Sequence, residues 1–512
     1  MNTTREMPIP TTLEEALSML QERDQIIAEQ GLKITELKAQ LARRFGQKTE
    51  KLTDEQCTLF QHLLDGEAEK SRREAEKTAQ ETMTEVRGHR RRNGRSMIPD
   101  HLPRVVERIE LPEKDRACPG CGEQRVEIGT DSTEVLDIIP AQVRVIQYHR
   151  VKYACIDCCG EVVRAPEPPL PFDRSKASAG MVAHVAVSKF ADHIPLYRQE
   201  GILKRSGVEF PRSTSCDWLT KTSETLEPLV KLLTRRILQS HCVQTDDTPV
   251  RLRDGPGRGS REARFWISVG DQEHPYVNFQ FTRNRRGEHP QRWFGSYGGF
   301  IQCDAFAGYD PIFKLGHATE VGCWAHARRK FFDARTMDPD RGLSMLEQIR
   351  KLYAVESEAK ELSPEDRLAI RQERSIAILD AIFSQLQVWA TQVPPKSSIG
   401  KAVMYAIRLE SALRRFTEDG RLEIDNNRCE RALRGVAIGR KNWLFAGSEY
   451  GGQAAAVFFS IIGSARINEI EPWAYLKDVL TRMPRARHSE LETFLPDIWK
   501  QLHPEAHLAL NR

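Results

Sequence analysis

At 512 residues the chain exceeds what one hydrophobic core normally organises, so several domains are expected; 40% apolar and 29% charged residues describe a soluble globular protein. A net charge of +4 is too mild to establish nucleic-acid binding, so local clustering must carry that case. The opening MNTTREMPIPTTLEEAL lacks a basic region followed by an apolar core, and the longest apolar run, Ala454 to Ala465, is too short for a bilayer, so neither export nor a membrane partner is expected. Eleven cysteines, an odd number in a long chain, favour a reducing cytoplasm with four of them as metal ligands over a disulfide framework.

Residues 1–50 carry apolar residues at seven-residue spacing, Leu13, Leu20, Ile27, Ile34 and Leu41, among Glu, Gln, Lys and Arg. That pattern predicts a coiled coil and self-association into a homo-oligomer, although Asp24 and Gly31 near the seam also suit an amphipathic helix docked on its own protein. Residues 51–110 form a charged linker in which Arg87, Arg90, Arg91, Arg92 and Arg95 crowd together. Such a run is either a solvated linker or a contact to the DNA backbone, where clustered arginine neutralises phosphates and releases counterions.

Residues 111–170 hold two CxxC knuckles, Cys118-Cys121 and Cys155-Cys158, with Cys159 as an alternative to Cys158. Two paired thiolates close a tetrahedral shell, so this segment is expected to bind one structural Zn²⁺ between alternating strands. Residues 171–235 read as short helices compatible with a helix-turn-helix DNA reader or with scaffolding, Ser213 capping the last of them.

From 236 to 332 strand-like segments follow one another: HCVQTDDTPVRL, ARFWISVG, YVNFQFTR, GGFIQCDAF and ATEVGCWAH. Residues 333–420 read as a helical insertion, with Ser363-Pro364 as a helix start and Pro394-Pro395 as a break. Residues 421–470 return to the core with Glu430 just after an Asp-Asn-Asn cap signal, and residues 471–512 form a helical tail. Asp246 and Asp304 follow β-branched stretches, so two strands and a helix deliver three carboxylates that can converge on a divalent metal pair, an arrangement suited to phosphodiester chemistry. The expected fold class is multidomain, with a ribonuclease-H-like α/β core.

The strings CPGCG, HIPLYRQE, QTDDTPV, QCDAFAGYD, CWAHARRKF and DNNRCERALRGVAIGRKNWLFAGS together resemble the insertion-sequence-66 family of bacterial DDE transposases, over nearly the whole chain. The resemblance implies a catalytic triad of Asp246, Asp304 and Glu430 around two Mg²⁺ (or Mn²⁺) ions, Asp246 bridging both. It implies DNA cleavage at element ends followed by strand transfer into target DNA, and accessory proteins from the same element. Arg434, Arg440 and Lys441 would meet phosphates beside Glu430, and His326 and Arg329 would face the cleft. The family pattern reads Asp-Glu-Thr where this chain has Asp246-Asp247-Thr248; it places the ligand at Asp246, while strand alternation leaves Asp247 open. The competing readings are a nuclease of the same fold that cuts without strand transfer, and a zinc-containing DNA-binding regulator.

The knuckles generate a first prediction. Elemental analysis of the purified chain is expected to find one zinc per chain, and replacing Cys118 and Cys155 by Ser should remove it. A protein with no stoichiometric zinc would refute the site.

Overall fold

The computed structural model describes residues 142–153, 162–253, 255 and 259–504, with the isolated positions 106 and 133. The chain divides into two compact units, and the elements below belong to the one that contains residues 146–504. The heptad column Leu13 to Leu41, the arginines 87–95 and Cys118, Cys121, Cys155 and Cys158 lie outside the described residues. Two short antiparallel strands, β1 (Lys152–Tyr153) and β2 (Val163–Arg164), bracket the segment carrying the second knuckle in sequence.

Three helices precede the main sheet: α1 (Ala179–Phe190), α2 (Leu196–Arg205) and α3 (Arg212–Ile237). Ser178 caps α1 by accepting from the Met181 N–H. The expected cap at Ser213 gives way to a start at Arg212 after Pro211, because proline presets the extended backbone that enters a helix. Val182, Val185 and Ala186 of α1 and Leu226, Leu229 and Leu233 of α3 are fully buried, in one hydrophobic cluster with the sheet residues Val243, Phe265 and Ile267. These helices thus share the core of the sheet.

The sheet is built from β3 (Cys242–Arg253), β4 (Ser260–Val269), β5 (Val277–Thr282), β6 (Phe300–Gln302) and β7 (Thr319–Val321), with α4 (Glu288–Phe294) between β5 and β6. The strand order is β5-β4-β3-β6-β7; the first three run as an antiparallel meander, and β6 and β7 add in parallel. The five strands fall on the five strand-like segments of the sequence, since β-branched and aromatic runs bounded by turns leave little else. A two-residue strand, β8 (Phe445–Ala446), pairs in parallel with Arg251 and Leu252 of β3.

Helix α5 (Trp324–Ala334) leads into the insertion, whose long helices are α6 (Pro339–Glu358), α7 (Ile376–Gln392) and α8 (Ser398–Arg408). Ser363 caps a short helix at Pro364, and the chain breaks after α7 near the two prolines, as expected. Trp324, Phe331, Ile349, Leu386 and Val403 form a second hydrophobic cluster joining the insertion to α5. The chain then returns through α9 (Asn427–Trp443), α10 (Glu449–Ile467) and α11 (Pro472–Arg482). Among the described residues no helix is long and apolar enough to cross a membrane; the apolar run 454–465 lies inside α10, against β5.

Strand β5 is the edge of the sheet, and its outward backbone groups are met by two serines one helical turn apart on α10. The Phe279 N–H donates to Ser460 Oγ (2.8 Å) and the Val277 N–H to Ser464 Oγ (2.9 Å), while Ser464 Oγ donates back to the Val277 carbonyl (3.0 Å). A helix therefore satisfies an edge that would otherwise invite pairing with another chain. Ser464→Ala would leave a buried N–H without its acceptor, and is expected to cost about 1–3 kcal/mol. Chemical denaturation should show a lowered midpoint; an unchanged midpoint would contradict this role.

Candidate active site

The register of two parallel strands brings two of the three acids together. Gln244 of β3 stands opposite Gln302 of β6, and Asp246 and Asp304 each follow two residues later. Equal offsets along parallel strands place Asp304, just past the end of β6, beside Asp246 within β3. On this side β3 pairs with β6 only over 242–244 and with β8 only over 251–252, so the sheet opens beside Asp246.

The glutamines beneath the acids position the third. Gln244 Nε2 donates to Gln302 Oε1 (3.0 Å) and to the Asp425 carbonyl (3.1 Å), and Gln244 Oε1 accepts from the Cys429 N–H (3.2 Å). Gln302 Nε2 donates to the carbonyls of Gly322 (3.1 Å) and Glu423 (2.8 Å). Both side chains are buried, so each amide bond replaces water and sets the start of α9 beside β3 and the end of β6. Asp425 completes that start: its Oδ1 accepts from the Asn427 N–H (3.0 Å), and Tyr353 of α6 donates to its Oδ2 (2.8 Å). The side chain of Asn426, at the cap itself, accepts instead from the Cys323 thiol (3.1 Å). Glu430 then falls in the first turn of α9.

The resulting electrostatics are costly. Burial, and next the carboxylate of Asp304, push Asp246 well above the usual carboxylate range; Glu430 adds to the effect and the Asp247 N–H (2.7 Å to Oδ1) opposes it. Asp247, beside it, is engaged elsewhere. Its Oδ2 accepts from Arg264 (2.9 Å) and its Oδ1 from Arg285 Nε (2.7 Å), and only 2% of its side chain is exposed. Burial raises the Asp247 pKa, and the two arginines resist the rise. Arg285 also reaches Asp304 Oδ2 (3.1 Å) and lies 4.0 Å over the Phe306 ring. Asp304 Oδ1 accepts from the Phe306 N–H (3.0 Å) around Ala305, whose φ of 62° lies in the left-handed region.

On the other side, His326 Nδ1 stands 3.8 Å from Glu430 Oε1 and Arg329 Nη2 stands 3.9 Å from Oε2. Both residues expected to face a cleft thus lie beside Glu430. Of the residues expected to meet phosphates, Arg434 and Lys441 are exposed, whereas Arg440 donates to Thr248 Oγ1 (2.8 Å) and to the Pro249 carbonyl. Arg440 thereby pins α9 to β3 and serves the fold. Sequence reasoning missed Gln244, Gln302 and Arg285. For the glutamines a signal existed, since Gln-x-Asp occurs in both strands and period-two alternation puts Gln and Asp on one face. Arg285, in a loop, carried none.

Asp246, Asp304 and Glu430 lie near enough for the charges of the other two to act on Asp246, and among the described residues Glu430 comes within ligand-atom distance of His326 and Cys323 but not of the two aspartates together; carboxylates and imidazole are donors suited to divalent cations. A rise in pH should expose the cost of the unneutralised cluster. Because the folded-state pKa of Asp246 lies above its unfolded value, its stability term is fully present below the unfolded pKa and is lost as pH rises through the folded pKa. In metal-free protein, wild type should therefore lose stability relative to Asp246→Asn as pH rises from the acid range toward neutral. A divalent cation at 100 times its Kd should return about 2.7 kcal/mol near neutrality and less in acid. Thermal unfolding with and without chelator measures both; parallel pH curves for the two proteins would contradict the burial of a strained carboxylate.

Comparison with known proteins places these residues inside a family pattern. The model for "Transposase IS66 family" matches residues 174–454, and "zinc-finger binding domain of transposase IS66" matches 115–159. "IS66 C-terminal element" matches 460–496, and "Transposase C of IS166 homeodomain" matches 35–106. Similar proteins from Sinorhizobium fredii carry only the name uncharacterized protein. One is 33% identical over 418 residues, covering 79% of this chain and 81% of that one; another is 32% identical over 497 residues, covering 92% and 88%.

Proposed function

Because the chain belongs to the IS66 transposase family, we propose that it cuts and joins DNA at a two-metal site held by Asp246, Asp304 and Glu430. The observation that carries this reading is the matched offset of Asp246 and Asp304 from the Gln244–Gln302 pair, with Glu430 brought to them through the same amides. The core, residues 236–332 and 421–470, reads as ribonuclease-H-like: an antiparallel meander followed by two parallel strands, interrupted by the helical insertion of residues 333–420.

Asp246, Asp304 and Glu430 would hold the ions between them, with Asp246 as the central ligand. When bound, two divalent ions supply charge stabilisation to the attacking and leaving oxygens of an in-line displacement. The protein's part is to hold the carboxylates together against their repulsion and to orient the phosphodiester. Asp247, held by Arg264 and Arg285, serves as an anchor for Arg285. Water attacks first, at the element end, and frees a 3′ hydroxyl. That hydroxyl then attacks target DNA; bond energy is conserved, so no nucleotide triphosphate is required. Arg434 and Lys441 lie exposed on the helix that bears Glu430, where the DNA backbone would pass.

Asp304→Asn keeps the side-chain shape but removes charge from the metal shell. It is expected to lower Mg²⁺-dependent cleavage and joining roughly 10³-fold or more while leaving DNA binding largely intact. Asp246→Asn and Glu430→Gln should match it. Asp247→Asn loosens Arg285 and should cost about tenfold or less. Cleavage of a DNA end in Mg²⁺ or chelator measures all four. An inactive Asp247→Asn beside an active Asp246→Asn would reverse the ligand assignment; four active variants would reject the mechanism.

A further inference from the structure

Among the described residues, Cys323, His326 and Glu430 bring one ligand atom each to within 4.8 Å of one another. The three do not have equal standing. The Cys323 thiol is fully buried, donates to Asn426 Oδ1 (3.1 Å) and accepts from the Asn426 N–H (3.5 Å). Burial pushes its pKa up, and its two contacts with Asn426 make it a tether between the starts of α5 and α9. His326 and Glu430, each in the first turn of its helix, face one another across the cleft.

Their separation is informative. At 3.8 Å, Nδ1 and Oε1 stand beyond hydrogen-bond range, whereas two ligands about 2.1 Å from one ion stand about 3.0–3.4 Å apart. A small side-chain rotation would bring the pair onto one cation. The carboxylate divides its oxygens accordingly, Oε1 toward His326 and Oε2 toward Arg329 at 3.9 Å. Imidazole is a poor ligand for Mg²⁺, which favours oxygen, and a good one for softer divalent ions.

We propose that the cation bound by Glu430 takes His326 as an imidazole ligand, so that this position prefers Mn²⁺ to Mg²⁺. The proposal rests on the reading of Glu430 as a metal ligand and adds a nitrogen donor and a metal preference to it. His326 then serves the site as a ligand and not as a general base.

The test uses the full chain with its zinc in place and reads metal binding directly. Mn²⁺ is titrated by the loss of its free electron paramagnetic resonance signal, with Mg²⁺ as competitor. The spin-echo envelope of bound Mn²⁺ in wild type should carry modulation from a directly bound imidazole nitrogen. His326→Ala should abolish that modulation and weaken Mn²⁺ binding at least about tenfold, while Mg²⁺ affinity changes less than about threefold. Absence of nitrogen modulation in wild type, which needs no variant to fold, would overturn the proposal, as would unchanged Mn²⁺ affinity in His326→Ala. Asp246→Asn and Glu430→Gln separate the two readings. If both retain full Mn²⁺ binding, the carboxylate site itself fails; if both lose it while His326→Ala does not, only the imidazole ligand is rejected.

Discussion

The Gln244 side chain is the joint on which the geometry of the site turns. One amide group reaches the neighbouring strand through Gln302, the loop before α9 through the Asp425 carbonyl, and the first turn of α9 through the Cys429 N–H. Strand, loop and helix are separated by as many as 185 residues, yet one buried side chain sets their mutual position. A buried amide left without these partners costs free energy in a way an exposed one does not, and the bonds are directional as apolar contacts are not. Packing brings α9 to the sheet; the glutamines decide where along β3 its first turn comes to rest.

That placement works against electrostatics. Asp246 and Asp304 are neighbours, Glu430 adds a third carboxylate, and burial raises the price of charge on Asp246. The protein offsets part of this with Arg285, which links Asp304 to Asp247, and with Arg264, which holds Asp247 from the other side. Asp247 therefore takes a different part from its neighbour, although the two adjoin in sequence. An interior that keeps a repulsive cluster gives up stability, as functional sites do.

The insertion supports the site from behind. Tyr353 of α6 bonds the Asp425 carboxylate that begins α9, and the Tyr405 hydroxyl of α8 lies 3.4 Å from the Asp304 carbonyl. Its own rigidity comes partly from Arg371, wholly buried, which pairs with both oxygens of Glu356 (2.8 and 2.6 Å) and donates to the Phe416 carbonyl (2.8 Å). Removing one member of such a pair is costly, because the charge left behind has no water to turn to. The insertion is accordingly a buttress whose helices contact both the Asp304 strand end and the Glu430 helix.

The sequence alone determined the elements and suggested a chemistry for them. Period-two runs marked the five strands, the Asp-Asn-Asn signal marked the start of the Glu430 helix, and the acids in their local strings pointed to metal-dependent phosphodiester chemistry. The same reading placed a cap at Ser213 where proline takes over, and did not foresee that Arg440 Nη1 bonds Thr248 and the Pro249 carbonyl. It left Asp246 and Asp247 undecided, because adjacent residues on a strand point to opposite faces and only the neighbours reveal which face holds what. Those neighbours, Arg264 on β4, Arg285 after β5 and Gln302 on β6, come from distant parts of the chain. Local periodicity reports the state of each segment; the partner of each charge is set by strand order and register, which exist only once the chain has closed on itself.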